Sequence, residues 1–266
     1  MTSSGTPAVA VVIPAFDEAT YIADTLAALQ AQTFDDVVHR RVLHGFRIIV
    51  VDNNSTDGTA DVVRRVASSS SVPIEVISET EPGTGCAADT GFRHAIATGA
   101  IYIARTDADT LPAPDWLSNV VAPLLDGKRL VGGRVRARSE QGTSAAMFNA
   151  VGHLWRVGHA VEWWRTRSQP DELRRSFAVV GNNLAVDAEM YERCGGFPRT
   201  SIGDVDEDQV LQQRVRAVAG ARGIALRKQA VVYTSLRRLE AYGTKGFVEW
   251  YRSDDRSTID RDADVR

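Results

Sequence analysis

The chain reads as an α/β protein built on a doubly wound parallel sheet, and three observations predict it. Short apolar runs alternate with amphipathic stretches through the first half, the runs are apolar on both faces, and three of them end in polar clusters. Strands buried on both sides and alternating with helices of about 10 to 15 residues belong to a parallel sheet covered on both faces. In order, "AVAVVIP" reads as a strand, "EATYIADTLAALQAQ" as a helix, "FRIIVVD" as a strand and "TADVVRRVAS" as a helix. "IEVISE" then reads as a strand, "CAADTGFRHAIATG" as a helix and "IYIARTD" as a strand. Ligands bind such sheets beyond the carboxyl ends of the strands. The runs that end there in polar residues are Phe16 to Glu18, Asp52 to Asp57 and Asp107 to Asp109.

The second half changes character. "MFNAVGHLWRVGHAVEWWR" places apolar residues at 147, 151, 154, 161 and 164, a helical spacing with Trp155 and Trp163 beside the stripe. That stripe fits either a helix packed on the sheet or an acceptor-side or lipid-facing wall. "SFAVVGNNLAVDAEMYERCGGFP" reads as a strand, a polar turn at Gly181 to Asn183, a short helix and a Gly195-Gly196 stop before Phe197. "DEDQVLQQRVRAVAG" is a further helix, terminated at Gly220. The tail from Arg252 lacks an apolar period and reads as solvated and mobile.

Composition narrows the class of function. Among 266 residues, 44% are apolar and 24% charged, and the net charge of -3 comes from 31 basic and 34 acidic side chains spread along the chain. That balance gives no broad electrostatic footprint for nucleic acid. Cys86 and Cys194 stand far apart without ligand spacing, which argues against a disulfide framework or zinc and fits a reducing cytoplasm. No apolar run approaches the roughly 20 residues of a membrane span, and "MTSSGTP" has no cationic start of a signal peptide.

The polar strand ends carry the chemistry. Asp107 and Asp109, one small residue apart, repel each other unless a cation or water intervenes. Their hard oxygens suit Mg2+ or Mn2+ that also takes diphosphate oxygens, and the plainer alternative is that they cap a helix beginning near Pro114. "VDNNSTDGT" follows a strand and opens a helix, so its side chains, Asn54 among them, fit a turn and N-cap. Asp52 sits at the strand end itself, where a carboxylate can accept from a base or ribose. The glycine fingerprint of a dinucleotide fold is absent from "PAFDEA", which disfavours a dehydrogenase. Gly83, Gly85 and Gly91 stand before and within a helix start, where backbone amides can approach a phosphate. Glu207 and Asp208 fit either a catalytic pair or an acidic first helical turn.

Six motifs, "VVIPAFDE", "VDNNSTDGT", "TDADT", "GNNLAV", "CGGFP" and "DEDQVLQQR", occur in an order that resembles glycosyltransferase family 2. The resemblance covers residues 8–238 and implies a single GT-A domain, Rossmann-like, with a mostly parallel sheet, helices on both faces and a mixed C-terminal half. It implies a nucleotide-binding half over 8–110, an acceptor-binding half over 111–238, and a C-terminal helix and tail over 239–266. It further implies a nucleotide-sugar donor, UDP-sugar first and GDP-sugar second, with Mn2+ or Mg2+ held by a DxD motif and inversion at the anomeric carbon. The acceptor would be a hydroxyl of a glycan, a lipid-linked sugar or a small molecule, at the cytoplasmic side with a peripheral membrane contact left open.

Carried onto this sequence, Pro14, Ala15, Phe16 and Glu18 would border the base, Asp52 would contact base or ribose, and Asn54 and Gly85 would join the donor site. Asp107 would face ribose and metal, Asp109 the metal, and in the pair of Glu207 and Asp208 the aspartate would be the general base. Two departures stand out. Ala88-Asp89-Thr90-Gly91 lacks the Arg-Asn of many members, and "VVYTSLRR" lacks a histidine, so that either the metal is held more weakly or Thr234, Ser235, Arg237 and Arg238 take over the diphosphate, the arginine pair also fitting a plain solvated face.

Three rivals stand beside this reading. A haloacid dehalogenase-like phosphatase would match DxD with "GDVDED", but Leu111 breaks its first motif and only Lys128 lies between the two motifs to supply its lysine cation. A nucleotidyltransferase would need a Gly-rich basic loop that "IPAFDEATY" does not have, and the third rival is a binding module that keeps the nucleotide pocket without transfer.

Overall fold

The computed structural model describes residues 8–34, 45–138, 148, 164–165, 168–169, 179–199 and 207–237. Most of the tryptophan stripe and all of 239–266 lie outside the described residues. Along the chain run β1 (Val9–Ala15), α1 (Ile22–Gln30), β2 (Phe46–Asp52), α2 (Thr59–Ala67), β3 (Ile74–Ser78), α3 (Thr84–Ala97) and β4 (Tyr102–Arg105). Then follow β5 (Thr110–Pro112), α4 (Trp116–Leu125), β6 (Leu130–Ala137), β7 (Leu184–Asp187), α5 (Ala188–Cys194), α6 (Glu207–Ala219) and β8 (Ile224–Thr234).

All eight strands join one sheet in the order β3-β2-β1-β4-β7-β6-β8-β5. The first four strands are mutually parallel, whereas β7 runs antiparallel to both neighbours and β5 antiparallel to β8. This is the mostly parallel α/β sheet that the sequence predicts, with its mixed part in the second half. Successive side chains of a strand point to opposite faces. Accordingly Val9, Val11 and Ile13 of β1 pack with α1, α2 and α4, while Ala10 and Val12 pack with α3, α5 and α6. Each such Val, Ile or Leu taken from water stabilises the fold by about 1.5–3 kcal/mol.

Three elements differ from the sequence expectation. The first helix starts at Ile22 rather than near Glu18, because residues 17–19 are tied instead to the loop after β2. The strand expected before Gly181 is, among the described residues, only a bridge between Val180 and Asn183, and β7 forms from "LAVD" after the turn. β5 was not expected; it follows Asp109 directly and pairs with β8, so neither aspartate caps α4. The helix stops hold: Gly195 and Gly220, both at positive φ, end α5 and α6. Among the described residues no helix is long and apolar enough to cross a membrane.

Candidate functional site

The carboxyl ends of β3, β2, β1 and β4 lie side by side, which brings four loops together. The loop after β1 is fastened to the loop after β2: Asp17 N–H donates to Ser55 Oγ at 3.0 Å, Glu18 N–H to Thr59 Oγ1 at 2.7 Å and Ala19 N–H to Asp57 Oδ2 at 2.8 Å. Thr56 N–H returns a bond to Asp17 Oδ1 at 2.7 Å. Burial pushes the Asp57 carboxyl up, yet the Thr59 hydroxyl and the amides of Ala19 and Thr59 together hold it below its ordinary value. Asn53 then pins the third loop: its Nδ2 donates to the carbonyls of Glu79 and Glu81, each at 2.9 Å, and its Oδ1 accepts from Gly83 N–H at 2.8 Å. Asn54 spends its side-chain amide on the Thr80 carbonyl at 3.2 Å.

Pro14 and Ala15 are buried within β1, whereas Phe16 is half-buried at its end. Asp52, paired in register with Ala15, ends β2 half-buried, and its Oδ1 is buried with no hydrogen-bond partner among the described residues. A buried acceptor without a donor costs free energy until something fills it. Two of the three glycines expected near phosphate stand in close packing contact, and the N–H of the third, Gly83, is taken by Asn53. A Cβ at Gly85 would lie 2.6 Å from the Pro198 carbonyl oxygen, and one at Gly91 would lie 2.4 Å from Val12 Cγ1.

The acidic pair follows β4 in a turn closed by Thr110 N–H donating to the Asp107 carbonyl at 3.1 Å. Thr25 Oγ1 fixes the same turn by donating to the Ala108 carbonyl at 2.7 Å. Asp107 keeps about a third of its side chain exposed (31%). Asp109 is buried; its Oδ1 accepts from the Thr110 hydroxyl at 3.2 Å and its Oδ2 lies 3.3 Å from Arg237 Nε. Arg237, beyond β8, also pairs with Glu18 and lies 4.8 Å over the Tyr21 ring. Glu18 is therefore buried beneath a guanidinium rather than open at a base pocket. Burial pushes its carboxyl up to about 7, against the pull of Arg237 and with a smaller push from Asp109 and Asp107. Of the four residues offered for the diphosphate, Arg237 reaches this acidic cluster, Thr234 Oγ1 accepts from the Thr110 hydroxyl at 3.5 Å, Ser235 Oγ accepts from Arg237 N–H, and Arg238 lies outside the described residues.

From the other side comes the start of α6. Asp208 Oδ2 accepts from Gly181 N–H at 3.0 Å and its Oδ1 from Gln209 N–H at 2.7 Å. Burial, with the charge of Glu207 adding to it, pushes the Asp208 carboxyl up to about 6, although Arg105 and the two amides pull down. Glu207 Oε1 lies 3.2 Å from Arg105 Nη2, and the same nitrogen lies 3.5 Å from Asp107 Oδ1. So the paired aspartates and the pair at 207–208, 100 residues apart, meet around one arginine.

Sequence reasoning missed three residues here. Arg105 is 1% exposed, and its signal was a lone charge in the otherwise apolar "IYIAR". Arg199 spans the departure at 88–90: it pairs with Glu79 at 2.7 Å and Glu81 at 2.9 Å and donates to Thr90 Oγ1 at 3.0 Å. Burial pushes Glu79 up, but the Thr90 hydroxyl and Arg199 hold it near about 2. Asn183 is a buried peg: it accepts from Trp116 Nε1 at 2.8 Å and donates to the carbonyls of Arg134 and Ala230. The phosphatase rival loses its cation, because Lys128 donates to the Arg222 carbonyl before β6, at the opposite end of the sheet.

Among the described residues no three His, Cys, Asp or Glu side chains cluster as a complete metal cage. The donor set of Asp107 and Asp109, all hard oxygen and about a third exposed at Asp107, fits a divalent ion that completes its sphere with ligand oxygens and water.

Comparison with known proteins agrees in fold and motif. Residues 10–182 match the family described as Glycosyl transferase family 2. Glycosyltransferase AglE of Haloferax volcanii is 33% identical over 206 residues, 76% of this chain and 60% of that protein. An uncharacterized glycosyltransferase of Mycobacterium tuberculosis is 32% identical over 198 residues, 72% of this chain and 75% of that one. Among solved structures, a mannosyltransferase from Pyrobaculum calidifontis in complex with GDP-Man and Mn2+ superposes with a TM-score of 0.60 at 25% identity. That match covers 94% of this chain and 66% of the mannosyltransferase, so the chain spans about two thirds or less of this structure and of AglE.

Proposed function

The chain belongs to glycosyl transferase family 2, and from that premise we propose that it moves a sugar from a nucleotide-sugar donor to an acceptor hydroxyl with inversion. The observation that carries the reading is the meeting of Asp107 and Glu207 on Arg105, which gives the two acidic motifs one cleft at the carboxyl ends of the strands. In this reading Phe16 and the unpartnered Asp52 Oδ1 border the base and ribose, where a ribose hydroxyl or base N–H supplies the missing donor. Asp107 and Asp109 would hold Mn2+ or Mg2+, which when bound would supply positive charge for the diphosphate leaving group. Arg237, on Asp109, adds a fixed positive charge at the same place.

Asp208 takes the proton of the acceptor hydroxyl. Its two amide donors fix the carboxylate, and a value of about 6 keeps it ionised at neutral pH while leaving it basic enough to accept. Protonation removes the base, so turnover falls as pH drops through about 6 and levels above it. Direct displacement with a base on one side and the diphosphate on the other inverts the anomeric carbon. A UDP-sugar is the first donor to try and a GDP-sugar the second; hydroxyls of a glycan, a lipid-linked sugar and a small molecule are the acceptors to try with them.

A thermal-shift screen of UDP, GDP, CDP and dTDP with and without Mn2+ tests donor and metal together. A Mn2+-dependent rise in melting temperature with UDP or GDP is the expected result. Hydrolysis of simple phosphomonoesters, with no nucleotide released from any sugar donor, would contradict it.

A further inference from the structure

We infer that Arg105 is a positioning residue of this site, a buried guanidinium that ties the metal-side carboxylate of Asp107 to the base-bearing start of α6. The inference rests on the transferase reading above and adds to it a residue outside both acidic motifs.

A guanidinium keeps its proton in a protein, and its burial costs several kcal/mol unless anions answer it. Arg105, at the last position of β4, is 1% exposed, and among the described residues the anions that answer it are the site carboxylates, Asp107 Oδ1 at 3.5 Å and Glu207 Oε1 at 3.2 Å. An arginine that only cements a fold usually uses its fork, two parallel bonds to one carboxylate. Here a single nitrogen, Nη2, serves both motifs, while Nε and Nη1 have no hydrogen-bond partner among the described residues. The guanidinium is shared between the motifs rather than saturated by either.

Its other walls also belong to the site. The guanidinium carbon sits 5.3 Å from the centre of the Phe197 ring, and Gly181 closes the opposite approach. A Cβ at Gly181 would lie 3.1 Å from Nη2 and 3.3 Å from Cζ. Gly181 is the residue whose N–H holds Asp208 Oδ2. Arg105, Gly181, Glu207 and Asp208 therefore pack as one unit, and displacing the guanidinium displaces what aims the base.

The geometry gives two effects of opposite sign. The positive charge beside Asp107 opposes a divalent cation there, so removing it strengthens Mn2+ binding. The same removal frees Glu207 and the start of α6, and a misplacement of about 1 Å at a reacting group costs about 100-fold in rate. A residue that merely supports the fold would weaken both.

The test compares wild type, Arg105→Met and Gly181→Ala, each as the full chain. Mn2+ binding is followed by the free-ion EPR signal in the presence of UDP or GDP, and turnover by nucleotide released from the matching sugar donor. For Arg105→Met, kcat should fall about 100-fold with Mn2+ bound at least as tightly as in wild type. Gly181→Ala, which removes no charge and crowds the guanidinium from outside, should lower kcat about tenfold with donor KM unchanged, and it decides the matter if Arg105→Met does not fold. Unchanged kcat in either variant, or Mn2+ binding weakened together with kcat in Arg105→Met, would overturn the inference. Failure of wild type itself to release nucleotide from any sugar donor would instead overturn the transferase reading beneath it.

Discussion

The loops after β1, β2 and β3 and the acidic cluster beside them are held by different chemistry. After β1, β2 and β3 the loops interlock chiefly through bonds between backbone groups and short polar side chains, Asn53 and Asn54 joining the loops after β2 and β3 and the partly exposed Arg199 adding ion pairs at Glu79 and Glu81. After β4 and β8 the work falls to buried arginines, Arg105 between Asp107 and Glu207 and Arg237 between Asp109 and Glu18. The difference teaches how each part can respond to ligand. Loops closed largely through fixed backbone groups are preformed, whereas carboxylates shared with buried arginines could, in the proposed reading, exchange those partners for a metal and a diphosphate without leaving a charge buried alone.

Substitutions that break this contrast can be ranked. Asp109→Ala should have the largest effect, a loss of Mn2+-dependent turnover of about a thousandfold or more with UDP or GDP no longer stabilised by Mn2+, read by nucleotide release and thermal shift. Arg237→Met strips the buried Glu18 of its cation and should destabilise the fold by about 3 kcal/mol at pH 8 in denaturant unfolding. The sign with pH follows from Glu18, whose carboxyl already sits at about 7, above its ordinary 4.5. Without Arg237 it rises further, so the variant recovers stability as pH falls and Glu18 takes a proton; a deficit that grows on acidification would refute this.

On the nucleotide side the expected losses are smaller and independent of charge. Asn53→Ala leaves two carbonyls and one amide without partners and should cost about 2 kcal/mol, with nucleotide binding weakened to a similar degree at low and at high salt. The least effect belongs outside the cleft: Asp61→Ala removes an exposed i,i+3 pair with Arg64 and should change stability by no more than about 0.5 kcal/mol.

How much could be read from the chain divides along the same line. β1 and β2 were legible because an apolar run buried on both faces has a local signature, and Asp52, Asp107 and Asp109 were legible as acids at the ends of such runs. The mixed half was harder. β5 has three residues, too few for a period to register, and β7 was hidden by the polar turn before it. What could not be read locally is the pairing between distant charges. Glu18 looked like an open strand-end acid until Arg237, 219 residues on, covered it, and Arg105 meets Glu207 across 102 residues. Gly85 and Gly91 looked like phosphate contacts, and only packing against Pro198 and Val12 reveals what they make room for.

The central claim is that donor and base occupy the two ends of one cleft, the donor at Asp107 and Asp109 and the base at Asp208. Calorimetric titration of the nucleotide-sugar into Asp208→Asn with Mn2+, beside its turnover, tests that most directly. The account predicts donor affinity within about twofold of wild type and kcat reduced by about a hundredfold or more, the size of a lost general base. Donor binding lost along with turnover would make Asp208 a donor contact and contradict the account.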